Sequence, residues 1–163
     1  MRLNWRAAGI VLLLHGCDTG EPARVVTPAD PSEGTVAIEW AGPNQAAMVV
    51  PVYVNGAGPY SFVLDTGATL TCVDVELAEE LSLPDVRGRI GVGAGVGSAG
   101  QMRIVSIDSL RVGEARTEET IGCALDLSSA EQIGIEFDGL LGLNFLREFR
   151  VELDFDRDEV RLR

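Results

Sequence analysis

The stretch Phe62-Val63-Leu64-Asp65-Thr66-Gly67-Ala68-Thr69 constrains this chain more than any other. An apolar run delivers a carboxylate to a turn built from a small hydroxyl residue, a glycine and an alanine. A second alternating run, Leu70 to Val73, follows. Two readings fit. Asp and Gly are common turn residues, so the octet can be an ordinary strand–turn–strand with a solvated Asp. It can also be a carboxylate held at a strand end for chemistry. The octet alone leaves both open.

What the chain lacks narrows the choice. Its only histidine is His15, in a segment with the marks of a removable leader. All 13 basic residues are arginine. Without a downstream histidine there is no Ser-His-Asp or Cys-His nucleophile system and no imidazole for a catalytic zinc. Without lysine there is no Schiff base and no phosphate-loop lysine. Any proton chemistry falls to carboxylates, and no cofactor or metal is implied. A formal charge of −12 argues against nucleic-acid binding, which needs a basic footprint. The 46% apolar share is that of a folded domain.

Residues 1–17 read as a targeting segment. Arg2 and Arg6 precede an eight-residue apolar run, Ala7 to Leu14, too short for the roughly 20 residues that span a bilayer. Leu14-His15-Gly16-Cys17 resembles the lipobox of bacterial lipoproteins, although His15 stands where a small residue is usual. That resemblance implies lipidation at Cys17 and an exported, membrane-anchored protein facing the periplasm or cell exterior. Asp18 fits retention at an inner membrane. Plain secretion or a structural N-terminal strand are the other readings. Residues 18–34 are rich in Pro, Asp, Glu, Gly and Thr without hydrophobic period, as expected of a flexible tether.

A single domain is expected over residues 35–163. Thr35 to Trp40, Ala47 to Val54 and Pro59 to Leu64 read as strands, the last two joined by the hairpin signal Asn55-Gly56. Thr69 to Val73 reads as another strand. Asp74 is placed to cap a helix over 75–83, stopped by Pro84. Gly91 to Gly100 contains five glycines, and Gly95 to Gly100 satisfies G-x-G-x-x-G. A dinucleotide loop needs a following helix, whereas Met102 to Val112 alternates as a strand, so a hairpin tip is expected instead. Thr117 to Leu127 continues the strand pattern. Phe137 to Leu146 is apolar, punctuated by Gly139 and Gly142, and precedes a short helix. A closing hairpin spans Val151 to Phe155 and Glu159 to Leu162. Asp154, Asp156 and Asp158 mimic the start of a calcium loop, but Glu159 stands where glycine is required. Cys72 and Cys123 can be one disulfide in an oxidising compartment or two buried thiols.

Three parts together carry a resemblance. They are the Phe62–Thr69 octet, the Gly-rich hairpin some 30 residues on, and Asp138-Gly139-Leu140-Leu141-Gly142 with its short helix. Residues 35–163 are similar to the retropepsin-like aspartic proteases, in particular the small bacterial single-domain members. The resemblance implies a mainly β fold, a closed acid-protease barrel with one or two short helices. It implies an endopeptidase acting on polypeptide substrate, with Asp65 catalytic and Thr66, Gly67 and Ala68 supporting the active loop. Gly93, Ala94, Gly95, Val96 and Gly97 would form a flap, and Gly139, Leu140, Leu141 and Gly142 would line side-chain pockets. A single Asp-Thr-Gly within residues 35–163 implies a homodimer. The flap tip has no aromatic residue. The C-terminal hairpin is the better candidate for the dimer surface, because the N-terminus continues into a tether. A non-catalytic peptide-binding module on the same fold is the alternative, and a monomer pairing Asp65 with Asp138, or a structural envelope protein, is a third.

Overall fold

The structure is a computed structural model that describes residues 34–95, 98–131 and 134–163. The expected leader with Cys17 and nearly all of the expected tether lie outside the described residues, as do Val96 and Gly97 of the expected flap. In chain order the elements are β1 Thr35–Ala37, β2 Glu39–Ala41, a 3-10 turn Pro43–Gln45, β3 Ala47–Val54, β4 Ala57–Leu64, β5 Cys72–Asp74 and α1 Val75–Glu80. There follow β6 Asp85–Gly95, β7 Ser98–Val112, β8 Ala115–Leu125, α2 Ser128–Glu131, β9 Gly139–Leu141, α3 Leu143–Leu146, β10 Val151–Asp154 and β11 Glu159–Leu162. The chain is thus mainly β, a single domain, with three short helices among the described residues rather than one or two.

Period-2 patterning builds the wall. In β3, Val50, Val52 and Val54 are buried, while Pro51 and Tyr53 between them are only partly so. Asn55 and Gly56 take positive φ (51° and 82°), which turns β3 back into β4. The main sheet runs β2-β3-β4-β9-β5-β8-β7-β6, and a further β3–β7 pairing closes it. β3, β4, β9, β5, β8 and β7 therefore form a closed ring. Tyr53 pairs with Arg111 at the closure, and the guanidinium lies 3.7 Å from the ring centroid. Phe62, Val73, Val105, Ile107, Leu141 and Phe145 fill the interior with essentially no exposure. Each such side chain contributes about 1.5–3 kcal/mol by leaving water.

Several expectations are corrected. Thr35 to Trp40 is not one strand. Ile38 is buried and its N–H donates to Asp158 O (2.7 Å), so the chain bends there. β1 then joins β11 and β10 in a separate three-stranded sheet, while β2 joins the barrel. The C-terminal hairpin is consequently one part of a sheet that also uses the start of the domain. The strand expected at Thr69 begins only at Cys72, because the residues before it are held in the active loop. α1 ends at Glu80 rather than at residue 83. Ser82 has φ 51°, its N–H donates to Glu79 O, and Leu83 N–H donates to Ala78 O, a Schellman ending. The Asp74 cap is as expected, with Oδ1 accepting from Glu76 N–H (2.8 Å).

Candidate active site

β4 carries its hydrophobic run up to Asp65 and stops. Its parallel neighbour β9 sets the height, since Leu64 pairs with Leu141 and the Asp65 N–H donates to Leu141 O (3.1 Å). The chain then turns. Asp65 Oδ1 accepts from Gly67 N–H (2.8 Å) and Asp65 O accepts from Ala68 N–H (3.3 Å). One carboxylate oxygen is thereby fixed, and the other makes no hydrogen bond among the described residues. Asp65 is half-buried, Thr66 and Gly67 are exposed, and Ala68 is half-buried. The Thr66 hydroxyl also has no partner among the described residues. The loop thus presents a pinned carboxylate with an open face beside it.

A buried polar knot holds the loop from below. Thr71 is fully buried. Its Oγ1 donates to Asn144 Oδ1 (2.9 Å) and accepts from Gly142 N–H (3.1 Å). Asn144 Oδ1 also accepts from Thr71 N–H (2.7 Å), and Asn144 Nδ2 donates to Ile121 O (2.8 Å). Leu143 N–H donates to Ala68 O (2.8 Å) and Asn144 N–H to Thr69 O (3.1 Å). The start of α3 is thus bonded to the loop that carries Asp65. Sequence reasoning missed Thr71 and Asn144. The available signal was polar residues inside two apolar stretches, where an unpartnered polar group would be costly.

Gly139 and Gly142 are present because backbones meet there. A Cβ on Gly142 would lie 2.4 Å from Leu70 O, and one on Gly139 would lie 2.4 Å from the Phe62 ring. Gly139, Leu141 and Gly142 are buried in the wall, which leaves only the half-buried Leu140 with surface to offer a ligand.

Asp138 is held apart from Asp65. Its Oδ2 accepts from Ser61 N–H (2.7 Å) and its own N–H donates to Ser61 O (2.7 Å). Ser61 is four strand residues before Asp65, which separates the two carboxylates by roughly 13 Å at 3.3 Å per residue. Asp138 lines a cavity of about 320 Å³ with Tyr60, Asp74, Glu80 and Asp126. Burial, then the nearby Glu80 and Asp138 charges, push the Tyr60 hydroxyl above its ordinary value. A monomeric Asp65–Asp138 pair does not fit this arrangement.

The hairpin expected to form the flap is present as β6 and β7, with Gly93 opposite Gly100, Ala94 opposite Ala99 and Gly95 opposite Ser98. Cys72 and Cys123 face each other across the parallel pair β5–β8 with Cα atoms 4.4 Å apart, and their sulfurs are bonded. Among the described residues no group of three or more His, Cys, Asp or Glu is placed to hold a metal ion, and no helix is long and apolar enough to cross a membrane. The Asp154–Asp158 region is the turn between β10 and β11, where Asp154 Oδ2 accepts from Arg157 Nη1 (2.7 Å).

Comparison with known proteins gives three findings. The family model described as aspartyl protease matches residues 50–145. The crystal structure of a retropepsin-like aspartic protease from Rickettsia conorii superposes with a TM-score of 0.52 at 20% identity, over 79% of this chain and 89% of that one. The retroviral protease-like domain of Ddi1 from Leishmania major gives a TM-score of 0.45 at 18% identity, over 72% and 94% of the two chains. No curated protein sequence matches the chain. The matched span runs from β3 to α3 and includes Asp65, Thr71, Gly142 and Asn144.

Proposed function

The chain belongs to the aspartyl protease family, with a retropepsin-like fold, and from that premise we propose that it is an aspartic endopeptidase built from two copies of itself. The observation that carries the proposal is the open Asp65 loop. It offers one pinned carboxylate and an exposed Thr66 hydroxyl unpartnered among the described residues, and residues 35–163 contain no second Asp-Thr-Gly, the other copy of that triplet, Asp18-Thr19-Gly20, lying outside the described residues.

The mechanism follows from carboxylate physics. Two aspartates about 3 Å apart cannot both ionise, so the pair holds one proton between them. The ionised member takes a proton from a water lying between the two. The protonated member donates to the carbonyl oxygen of the scissile peptide as the water adds to carbon. That proton belongs to the pair, not to either Asp65. The twofold places one Asp65 from each copy at the axis, with the two Thr66 hydroxyls bracing the loops across it. The β6–β7 hairpin closes over an extended peptide and keeps bulk water out. The edge strand β10, with exposed Leu153 and, just beyond it, the exposed Phe155 that stacks on Trp40, supports the three-stranded sheet as the surface for the second copy. Lipidation at Cys17 would tether the dimer to a membrane outside the cytoplasm, with residues 18–34 as leash.

The test compares wild type with Asp65→Asn on a peptide library at several pH values, with sedimentation on the same samples. We expect cleavage beside apolar residues by wild type alone, and a dimer for both. Equal cleavage by the variant overturns the role of Asp65. Cleavage by a strictly monomeric wild type overturns the dyad. Peptide binding without cleavage assigns the chain to the binding-module alternative.

A further inference from the structure

The Cys72–Cys123 bond is placed where it can govern the active loop. Cys72 directly follows Thr71, the residue whose hydroxyl ties Gly142 and Asn144 to the loop. The N–H of Cys123 donates to Thr71 O (3.0 Å). The two cysteines thus flank the loop's anchor, one through the chain and one through a hydrogen bond. β5 is three residues long, and the cysteines pack in a small cluster with Ile104, Leu70, Val86, Met102 and Leu125, separate from the main core. β5 pairs with β9 as well as β8 and seats Val73 in the main core, so the part of the strand that the disulfide itself secures is its Cys72 end, next to Thr71.

We propose that this disulfide is a redox-controlled clamp on the active loop, an inference that rests on the aspartic peptidase reading. With the bond formed, Thr71 is fixed against β8, and Asp65 is held where its partner copy can meet it. With the bond reduced, β5 loosens from β8, the Thr71–Asn144–Gly142 knot opens, and the two Asp65 carboxylates lose their mutual placement. A chain still in a reducing compartment would then be unable to cleave its neighbours, and would gain activity on reaching an oxidising one.

The chemistry is thiol–disulfide exchange with a dithiol. The dithiol's thiolate attacks Cys72 Sγ, the more exposed of the two at 7% against 1%. The sulfur–sulfur bond breaks and Cys123 leaves as a thiolate that takes up a proton. The second thiol of the reagent then attacks the mixed disulfide and releases the Cys72 thiol. The reagent ends as a cyclic disulfide, and the protein has gained two electrons and two protons. An oxidised dithiol reverses the sequence.

The experiment uses the full chain with and without dithiothreitol, followed by reoxidation, beside a Cys72→Ala/Cys123→Ala double variant. Peptide cleavage is read together with amide hydrogen exchange. On reduction, kcat/KM should fall roughly ten- to a hundredfold, the scale of a displaced catalytic group, and return on reoxidation. The double variant should stay low and ignore the reagent. The amides of Thr71, Gly142, Leu143 and Asn144 should exchange about tenfold faster when reduced, while those of Val52 and Ile107 keep their rates. Cleavage that survives reduction undiminished overturns the clamp and leaves the peptidase reading intact. Unchanged exchange at the four loop amides also overturns it, as does equal acceleration across the whole chain. If neither form cleaves any peptide, the peptidase reading fails, and the exchange result alone decides whether the bond holds the loop.

Discussion

Thr71→Val asks whether the polar knot is a structural support or an incidental contact. Valine keeps the branched shape and removes the hydroxyl. Thr71 is fully buried, so water cannot replace what is lost. The Gly142 N–H, now 3.1 Å from Oγ1, becomes an orphaned buried donor, at a cost of about 1–3 kcal/mol. The bond to Asn144 Oδ1 is worth about 1 kcal/mol net. Asn144 keeps its other donor, the Thr71 N–H at 2.7 Å, so its oxygen stays satisfied. A buried methyl in place of the hydroxyl returns up to about 1 kcal/mol. The balance is a loss of roughly 1–3 kcal/mol, or a melting temperature about 3–10 °C lower for a domain of this size. Urea and thermal unfolding of wild type, Thr71→Val, Asn144→Ala and the double variant give the numbers. The pair should be non-additive by about 1 kcal/mol, since both substitutions disrupt one knot. A valine variant within about 0.5 kcal/mol of wild type refutes the reasoning, because it would mean that Gly142 had no need of the hydroxyl.

Two further predictions follow from the geometry. Gly142→Ala should destabilise by about 3 kcal/mol or more in urea unfolding, because the new methyl meets backbone at Leu70 O (2.4 Å) and Thr71 N (2.8 Å), neither of which can swing aside. In the C-terminal hairpin, hydrogen bonding from Arg157 holds the Asp154 carboxyl below its ordinary value. A depressed carboxyl stabilises the fold above its unfolded pKa of about 3.9, and that contribution disappears as pH falls through the folded pKa. Loosening of the β10–β11 turn below about pH 4 should therefore be visible in amide chemical shifts of residues 154–158. Asp154→Asn should remove that response and leave the rest of the acid titration in place.

The sequence carried the local half of this structure. Alternation in β3, positive-φ chemistry at Asn55-Gly56 and the Asp74 cap are rules between near neighbours, and each element stands close to its expected place. The same rules failed where a distant partner decides the outcome. Ile38 breaks the first strand only because Asp158 O accepts its N–H. Thr69 and Leu70 alternate like a strand but are claimed by α3, whose Leu143 and Asn144 N–H groups bond back to Ala68 and Thr69. Thr71 and Asn144 are 73 positions apart, a pairing no period reveals.

By itself the sequence determined what chemistry remains open: a carboxylate at a strand end, in a chain with no histidine beyond His15 and no lysine. That follows from side-chain inventory, which needs no coordinates. Only the tertiary structure decided which carboxylates stand together. β9 inserts between β4 and β5, parallel to one and antiparallel to the other. That insertion brings Leu141 O to the Asp65 N–H and sends Asp138 to the other end of the same strands. Parallel pairing joins segments far apart in the chain, and its register is set by packing of Phe62, Leu141 and Phe145 in a shared core. Asp65 is therefore left with an open face, and Asp138 is tied to Ser61 as part of the frame.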